Sequence, residues 1–291
     1  GVSDGGTPND ATLSMTFTSS EATTNFVVTD IQVSGGSLSN FNAVSSTVYT
    51  AVFTPTTDGA TTINVAAGGF TDAVGNTNSA ATEFNWVYDS TALTITIASS
   101  TNGVTSGATT NDATIALTLT TSESTTGFTA NDITVSGGTI SNFGGSGTDY
   151  TATLTPNGNG LTTTSVTQGS FSDSAGNSNT ASNNFLWTYD GTGPTVGISS
   201  SASSPATGST FDVTIAFSEA TTNFVVSDIT VGGGTASLSG SGTTYTATIT
   251  PSADGTVTVD VASGVATDAV GNANTAATQF SIESDQADAP A

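Results

Sequence analysis

The sequence has no lysine, arginine, histidine or cysteine anywhere in its 291 residues. With 23 acidic side chains and no cation, its formal net charge at neutral pH is −23. A chain of this charge cannot neutralise a phosphate backbone, so DNA and RNA are excluded as partners. An anionic bilayer surface repels it as well, unless a divalent cation bridges the two. Missing with the cations and the thiol are the usual general base, the nucleophilic thiolate, the Schiff-base amine and the oxyanion-stabilising cation. Carboxylates, hydroxyls and amides remain, and paired carboxylates are formally enough for glycoside hydrolysis. Without cysteine there is no disulfide and no thiolate metal centre, which leaves packing or a hard cation to hold the fold. No apolar run reaches the roughly 18 residues of a membrane-spanning helix, so no membrane insertion is expected.

Threonine, serine, glycine, asparagine and alanine dominate instead, a composition of strands and turns. The chain repeats itself three times. Ser20-Glu21-Ala22-Thr23-Thr24-Asn25-Phe26 recurs as Ser218-Glu219-Ala220-Thr221-Thr222-Asn223-Phe224, with a looser copy, Ser122-Glu123-Ser124-Thr125-Thr126-Gly127-Phe128, between them. Asp30-Ile31, Asp132-Ile133 and Asp228-Ile229 follow. Thr71-Asp72-Ala73-Val74-Gly75-Asn76 then returns as Ser172-Asp173-Ser174-Ala175-Gly176-Asn177 and Thr267-Asp268-Ala269-Val270-Gly271-Asn272. Glu21 and Glu123 are 102 residues apart, and Glu123 and Glu219 are 96 apart. A fixed period of this size marks tandem domains, bounded at 1–89, 90–190 and 191–285, with a tail at 286–291.

Within each unit the apolar residues alternate, as half-buried strands do. Leu13, Met15 and Phe17 match Ile115, Leu117 and Leu119, then Val213, Ile215 and Phe217. Tyr49, Ala51 and Phe53 match Tyr150, Ala152 and Leu154, then Tyr245, Ala247 and Ile249. About seven short strands per hundred residues, cut by Gly, Asn, Asp and Pro turns, predict a two-sheet sandwich. Trp86 and Trp187, on alternating strands, are expected in the core.

The run Ser-Glu-x-Thr-Thr-x-Phe, Asp-Ile, Tyr-Thr-Ala, Thr-Pro, Asp-x-x-Gly-Asn and Phe-x-Trp-x-Tyr-Asp resembles the bacterial Ig-like tandem repeats of large calcium-dependent surface adhesins. The resemblance covers essentially the whole chain. It implies an all-β array of three immunoglobulin-like β-sandwiches, an extracellular or bacterial cell-surface setting and Ca²⁺ binding. The third unit departs at its end, with Phe280-Ser281-Ile282-Glu283-Ser284-Asp285 where the aromatic run would stand.

Strand order places the acids. In unit two a leading strand at roughly 92–98 starts at the pole facing unit one, and a second strand at roughly 113–120 ends there. If each strand reverses the last, Glu123, Asp132 and Asp173 share that pole, and the linker residue Asp89 arrives at it. The same reasoning gathers Asp190, Glu219, Asp228 and Asp268 at the second junction, and Glu21, Asp30 and Asp72 at the free pole of unit one. Carboxylates a few ångströms apart repel by about 1 to several kcal/mol per pair. Oxygen-only ligands in a loose geometry select Ca²⁺. The alternative is turn chemistry, in which each Asp side chain satisfies loop amides and no metal is involved. Asp58 and Asp254, each before a glycine, read as hairpin turns, since unit two has Asn159-Gly160 there.

Asn9-Asp10 aligns with Asn111-Asp112, and nothing ahead of it corresponds to the leading strand of unit two. Either the chain is a piece of a longer array, or another chain supplies the strand and builds a filament by strand donation. The segment 286–291 is a poor donor, being short, proline-containing and without large alternating apolar residues. Site-like residues that recur three times are structural far more readily than catalytic, so no enzyme is expected. The function expected is that of spacer repeats in a surface adhesin, stiffened by Ca²⁺ at the junctions, with neighbouring Ig-like domains or like subunits as partners.

Overall fold

The structure, a computed structural model, describes residues 2–286. The chain is all-β: three tandem immunoglobulin-like β-sandwiches, each built from two facing, mainly antiparallel sheets. Tail residues 287–291 lie outside the described residues. In unit two one sheet runs Gly138–Ser146, Asp149–Pro156, Ile115–Thr121 and Ile95–Ser99 in spatial order. The other runs Ile133–Ser136, Gly160–Val166, Phe185–Tyr189 and Ala108–Thr110. The leading strand Ile95–Ser99 thus closes one sheet, and its continuation Ala108–Thr110 crosses to the other, where it pairs parallel to Phe185–Tyr189. Unit three keeps this plan, with Val196–Ser199 as its leading strand and Gly234–Pro251 as a single long strand.

Unit one differs at one edge. Among the described residues its sheet ends at Leu13–Thr18, and none forms a leading strand beside it. Gly5 donates to the carbonyl of Asn85 and Val87 donates to that of Gly6, so the described residues of unit one begin in the crossed-over continuation.

Alternation explains the cores. Ile115, Leu117 and Leu119 are fully buried between the two sheets of unit two, as are Val213 and Ile215 in unit three. Trp86 and Trp187 are core residues, and a buried threonine, Thr61 or Thr162, donates its hydroxyl to the tryptophan carbonyl opposite. The repeated motif has a residue-by-residue logic. Its phenylalanine packs edge-on against the tyrosine of Tyr-Thr-Ala: Phe26 on Tyr49 and Phe128 on Tyr150 at 4.9 Å, Phe224 on Tyr245 at 5.0 Å. A threonine region three residues earlier takes the tyrosine hydroxyl, through the Thr23 carbonyl in unit one and the hydroxyls of Thr125 and Thr221 in the others. Each tyrosine therefore buries its ring without orphaning its O–H.

Candidate metal centres at the domain junctions

Two groups of carboxylates form at the junctions. Asp89, Glu123 and Asp173 each offer an oxygen within 4.8 Å of the other two, and Asp190, Glu219 and Asp268 do the same. In each group one acid comes from the linker, one from the end of the second strand and one from the Asp-x-x-Gly-Asn loop. Linker and loop acids belong to different domains, so the group straddles the junction. The aspartate of the loop is buried in both, Asp173 to 3 % and Asp268 to 5 % exposure.

Asp173 is held by its own loop. Its Oδ1 accepts from the amides of Gly176 at 2.8 Å and Asn177 at 2.9 Å, and its Oδ2 accepts from the Asn177 side chain at 3.1 Å. Asp268 repeats this with Val270, Asn272 and the Asn272 side chain. The glycine at the fourth motif position has a φ of +94° or +95° in all three units, which a side chain would strain. Turn chemistry and junction geometry therefore coexist: the amides orient the carboxylate, and one of its oxygens still lies within 4.8 Å of an oxygen of each of the other two acids.

Asp132 and Asp228, expected to complete each group, fall outside both. Their Oδ2 atoms accept from the Thr129 and Val225 amides at 2.7 and 2.8 Å, capping a short 3-10 turn whose third residue they occupy. Asp30 does the same for Val27. The Asp-Ile motif is a turn cap, and this is why it recurs. In unit one, Glu21 and Asp72 join no such group among the described residues, and Asp72 is half-buried rather than buried, with its oxygens taken by Val74 and Asn76. Asp58 is more than a hairpin residue. It accepts from the Ser90 amide and hydroxyl at 2.9 and 2.6 Å, pinning the linker beside Asp89, while Asn159 pins Gly191 and Asp254 pins Gln286.

Electrostatics follow the geometry. Burial, then the charges of Asp89, Asp173 and Asp58, push the Glu123 carboxyl above its usual range. Burial opposes ionisation of Asp268, yet the Asn272 amide and side chain, with Val270 and Gly271, together hold its carboxyl below the usual range. Ca²⁺–oxygen bonds of ~2.3–2.6 Å put ligands on opposite sides of one ion about 4.6–5.2 Å apart. Three oxygens within 4.8 Å of one another thus fit a single hard cation, and the donor set contains nothing softer than oxygen.

Four asparagines complete the junctions. The Asn177 side chain accepts from Asn9 at 3.1 Å and donates to the main-chain carbonyl of Asp89 at 3.0 Å. Asn272 accepts from Asn111 at 3.2 Å and donates to the carbonyl of Asp190 at 2.8 Å. Sequence reasoning passed these over, although Asn9-Asp10 and Asn111-Asp112 recur at the same 102-residue offset as the acids. No helix among the described residues is long and apolar enough to cross a membrane.

The model of the bacterial Ig-like domain matches residues 2–88, 89–188 and 190–284. No curated protein sequence matches the chain significantly. Among solved structures, the Escherichia coli adhesin FdeC is similar at 14 % identity and a TM-score of 0.41, over 97 % of this chain and 94 % of that one. InvD of Yersinia pseudotuberculosis aligns at 15 % identity and a TM-score of 0.41, over 96 % and 94 %. Invasin, a bacterial integrin-binding protein, aligns at 15 % and 0.38, over 96 % and 58 %. Three consecutive matches span nearly every residue, and the chain belongs to the bacterial Ig-like domain family.

Proposed function

We propose that the chain is a spacer segment of a bacterial surface adhesin, set outside the cell, whose inter-domain junctions are stiffened by Ca²⁺. The observation that carries this reading is the twofold recurrence of one acidic arrangement across two domain boundaries. Asp89, Glu123 and Asp173, and again Asp190, Glu219 and Asp268, would hold the ion, which supplies the positive charge the chain itself lacks. Asp89 and Asp190 bring the linker to it, and the loop amides aim the carboxylates of Asp173 and Asp268. With the linker acid tied to the next domain, hinge freedom falls.

Extracellular modules bind Ca²⁺ with Kd of about 10⁻⁴–10⁻³ M, so such junctions stiffen outside a cell and loosen on chelation. At a free ion concentration of ~100 Kd each site adds about 2.7 kcal/mol to stability. No step of this function requires chemistry on a substrate. Thermal unfolding and small-angle scattering in EDTA, in millimolar Ca²⁺ and in millimolar Mg²⁺ test it. A Ca²⁺-specific rise in Tm together with a longer maximum dimension supports the reading, and identical curves in all three refute it.

A further inference from the structure

The two junctions share one plan but differ in the hairpin residue that holds the linker. Unit one has Asp58 at the tip between Val48–Pro55 and Gly59–Val65, and unit two has Asn159 between Asp149–Pro156 and Gly160–Val166. Both side chains reach the linker that follows their own unit. Asp58 accepts from the amide and hydroxyl of Ser90 at 2.9 and 2.6 Å, and from the hydroxyl of Thr91. Asn159 keeps the first of these bonds, taking the Gly191 amide on its Oδ1 at 2.9 Å, and turns the others around. Its Nδ2 donates to the Thr192 hydroxyl at 2.7 Å and to Oδ1 of Asp190 at 3.1 Å.

The exchange changes what a cation meets at each junction. Asp58 adds a fourth negative charge beside Asp89, Glu123 and Asp173, whereas Asn159 adds none beside Asp190, Glu219 and Asp268. That charge is felt inside the first group: burial first, then Asp89, Asp173 and Asp58 push the Glu123 carboxyl above its usual range. The linker acids differ as well. Among the described residues the Asp89 carboxylate accepts only the Thr91 amide, at 3.1 Å, but that of Asp190 accepts both the Thr192 amide at 3.2 Å and the Asn159 side chain. A donor already on a carboxylate competes with a cation for its lone pairs. Other acids that differ near these two poles offset each other. Unit two has Asp149 where unit three has Thr244, and unit three has Asp260 where unit two has Ser165.

Resting on the Ca²⁺ reading of these groups, we infer that the hairpin residue sets the affinity of each junction, so that the first binds Ca²⁺ more tightly than the second and stiffens at lower ion concentration. A unit charge within a Debye length of a divalent ion changes its affinity about fivefold or more at low ionic strength, and less as salt screens it. As calcium rises, the chain passes through a state with one firm junction and one loose one. Each unit is the template for the exchange in the other. The bonds of Asp58 show how a carboxylate fits this hairpin, and those of Asn159 show how an amide fits it, so Asp58→Asn and Asn159→Asp both keep the linker pinned.

Equilibrium dialysis of the whole chain against Ca²⁺ tests this, with Glu219→Gln and Glu123→Gln variants reporting the first and the second junction separately. Expected at low ionic strength is a dissociation constant about fivefold or more lower at the first junction, with the gap narrowing in ~0.5 M NaCl. Asp58→Asn should weaken the first site by that factor, and Asn159→Asp should tighten the second. A purely structural role of these side chains would leave the salt dependence unmoved. Equal constants, a tighter second junction, or a gap that salt does not narrow overturns the inference while the Ca²⁺ reading stands. An Asn159→Asp chain with an unaltered second site does the same. No binding at either junction in ~10 mM Ca²⁺ overturns both.

Discussion

Asn177 donates to the main-chain carbonyl of Asp89 across the first junction at 3.0 Å, while the same side chain donates to the Asp173 carboxylate at 3.1 Å. One amide thus ties the linker backbone, the loop acid and, through its oxygen, Asn9 of the preceding domain into one unit. The linker is positioned by hydrogen bonds within the protein before any cation is considered.

Asn177→Ala should loosen the first junction without unfolding either domain. Loss of its bonds costs about 1–2 kcal/mol. Relaxation or scattering measurements should show units one and two reorienting more independently, with the second junction, held by Asn272, unchanged.

The second asparagine of the Gly-Asn-x-Asn run is a brace rather than a latch. Asn179 is fully buried, donates to the carbonyls of Thr167 and Thr180, and accepts from the amides of Ser170 and Phe171. Asn179→Ala leaves buried backbone groups unpaired and should cost roughly 3 kcal/mol or more. Calorimetry, or fluorescence of Trp187, should show unit two melting well below its neighbours.

Glu123→Gln should change sign with conditions. In EDTA it removes a carboxylate that lies within 4.8 Å of two others, so stability should rise by about 0.5–1 kcal/mol. In Ca²⁺ the same change deletes a ligand, and the metal-dependent gain in Tm at the first junction should fall. Paired melts of both proteins in the two buffers check the crossover.

The pH response in EDTA should turn over. Glu123 has its folded pKa raised above 4.5, so the fold takes up a proton there, and stability falls as pH rises through that raised value. Asp72 is lowered below 3.8, chiefly by the Asn76 side chain and amide. It contributes stability above the ordinary value and loses it as pH falls through the lowered one, and Asp268 behaves likewise. Acidification from neutrality should first raise Tm through Glu123, then lower it below about pH 4. Glu123→Gln should abolish the rise and keep the fall.

Much of this was legible from period and alternation alone. Phe53, Trp86, Leu117 and Ile215 were placed in the core because every second residue of a half-buried strand must turn inward, and they are there. Asp89, Glu123 and Asp173 could be brought to one pole because strand direction alone decides which loop sits at which end. Asp132 and Asp228 could not be separated from them by the same means. A pole gathers several loops spread over the ends of both sheets, and only the local 3-10 turn tells where the carboxylate is spent. Asn177 and Asn272 were hidden for another reason: an asparagine after a turn glycine is locally explained, so its bond to a neighbouring domain leaves no separate trace in composition or spacing.

The crossed-over segments bear on how the array responds to being pulled. In each unit they run parallel to the last strand: Gly5 and Gly6 beside Asn85 and Val87, Ala108–Thr110 beside Trp187–Tyr189, Ala206 beside Glu283 and Asp285. Tension enters a domain near one of these paired segments and leaves from the other, in opposite directions along strands that point the same way. The bonds between them are then sheared together rather than opened one after another. A domain so arranged resists stretching by the sum of these bonds, and yields only when they break together.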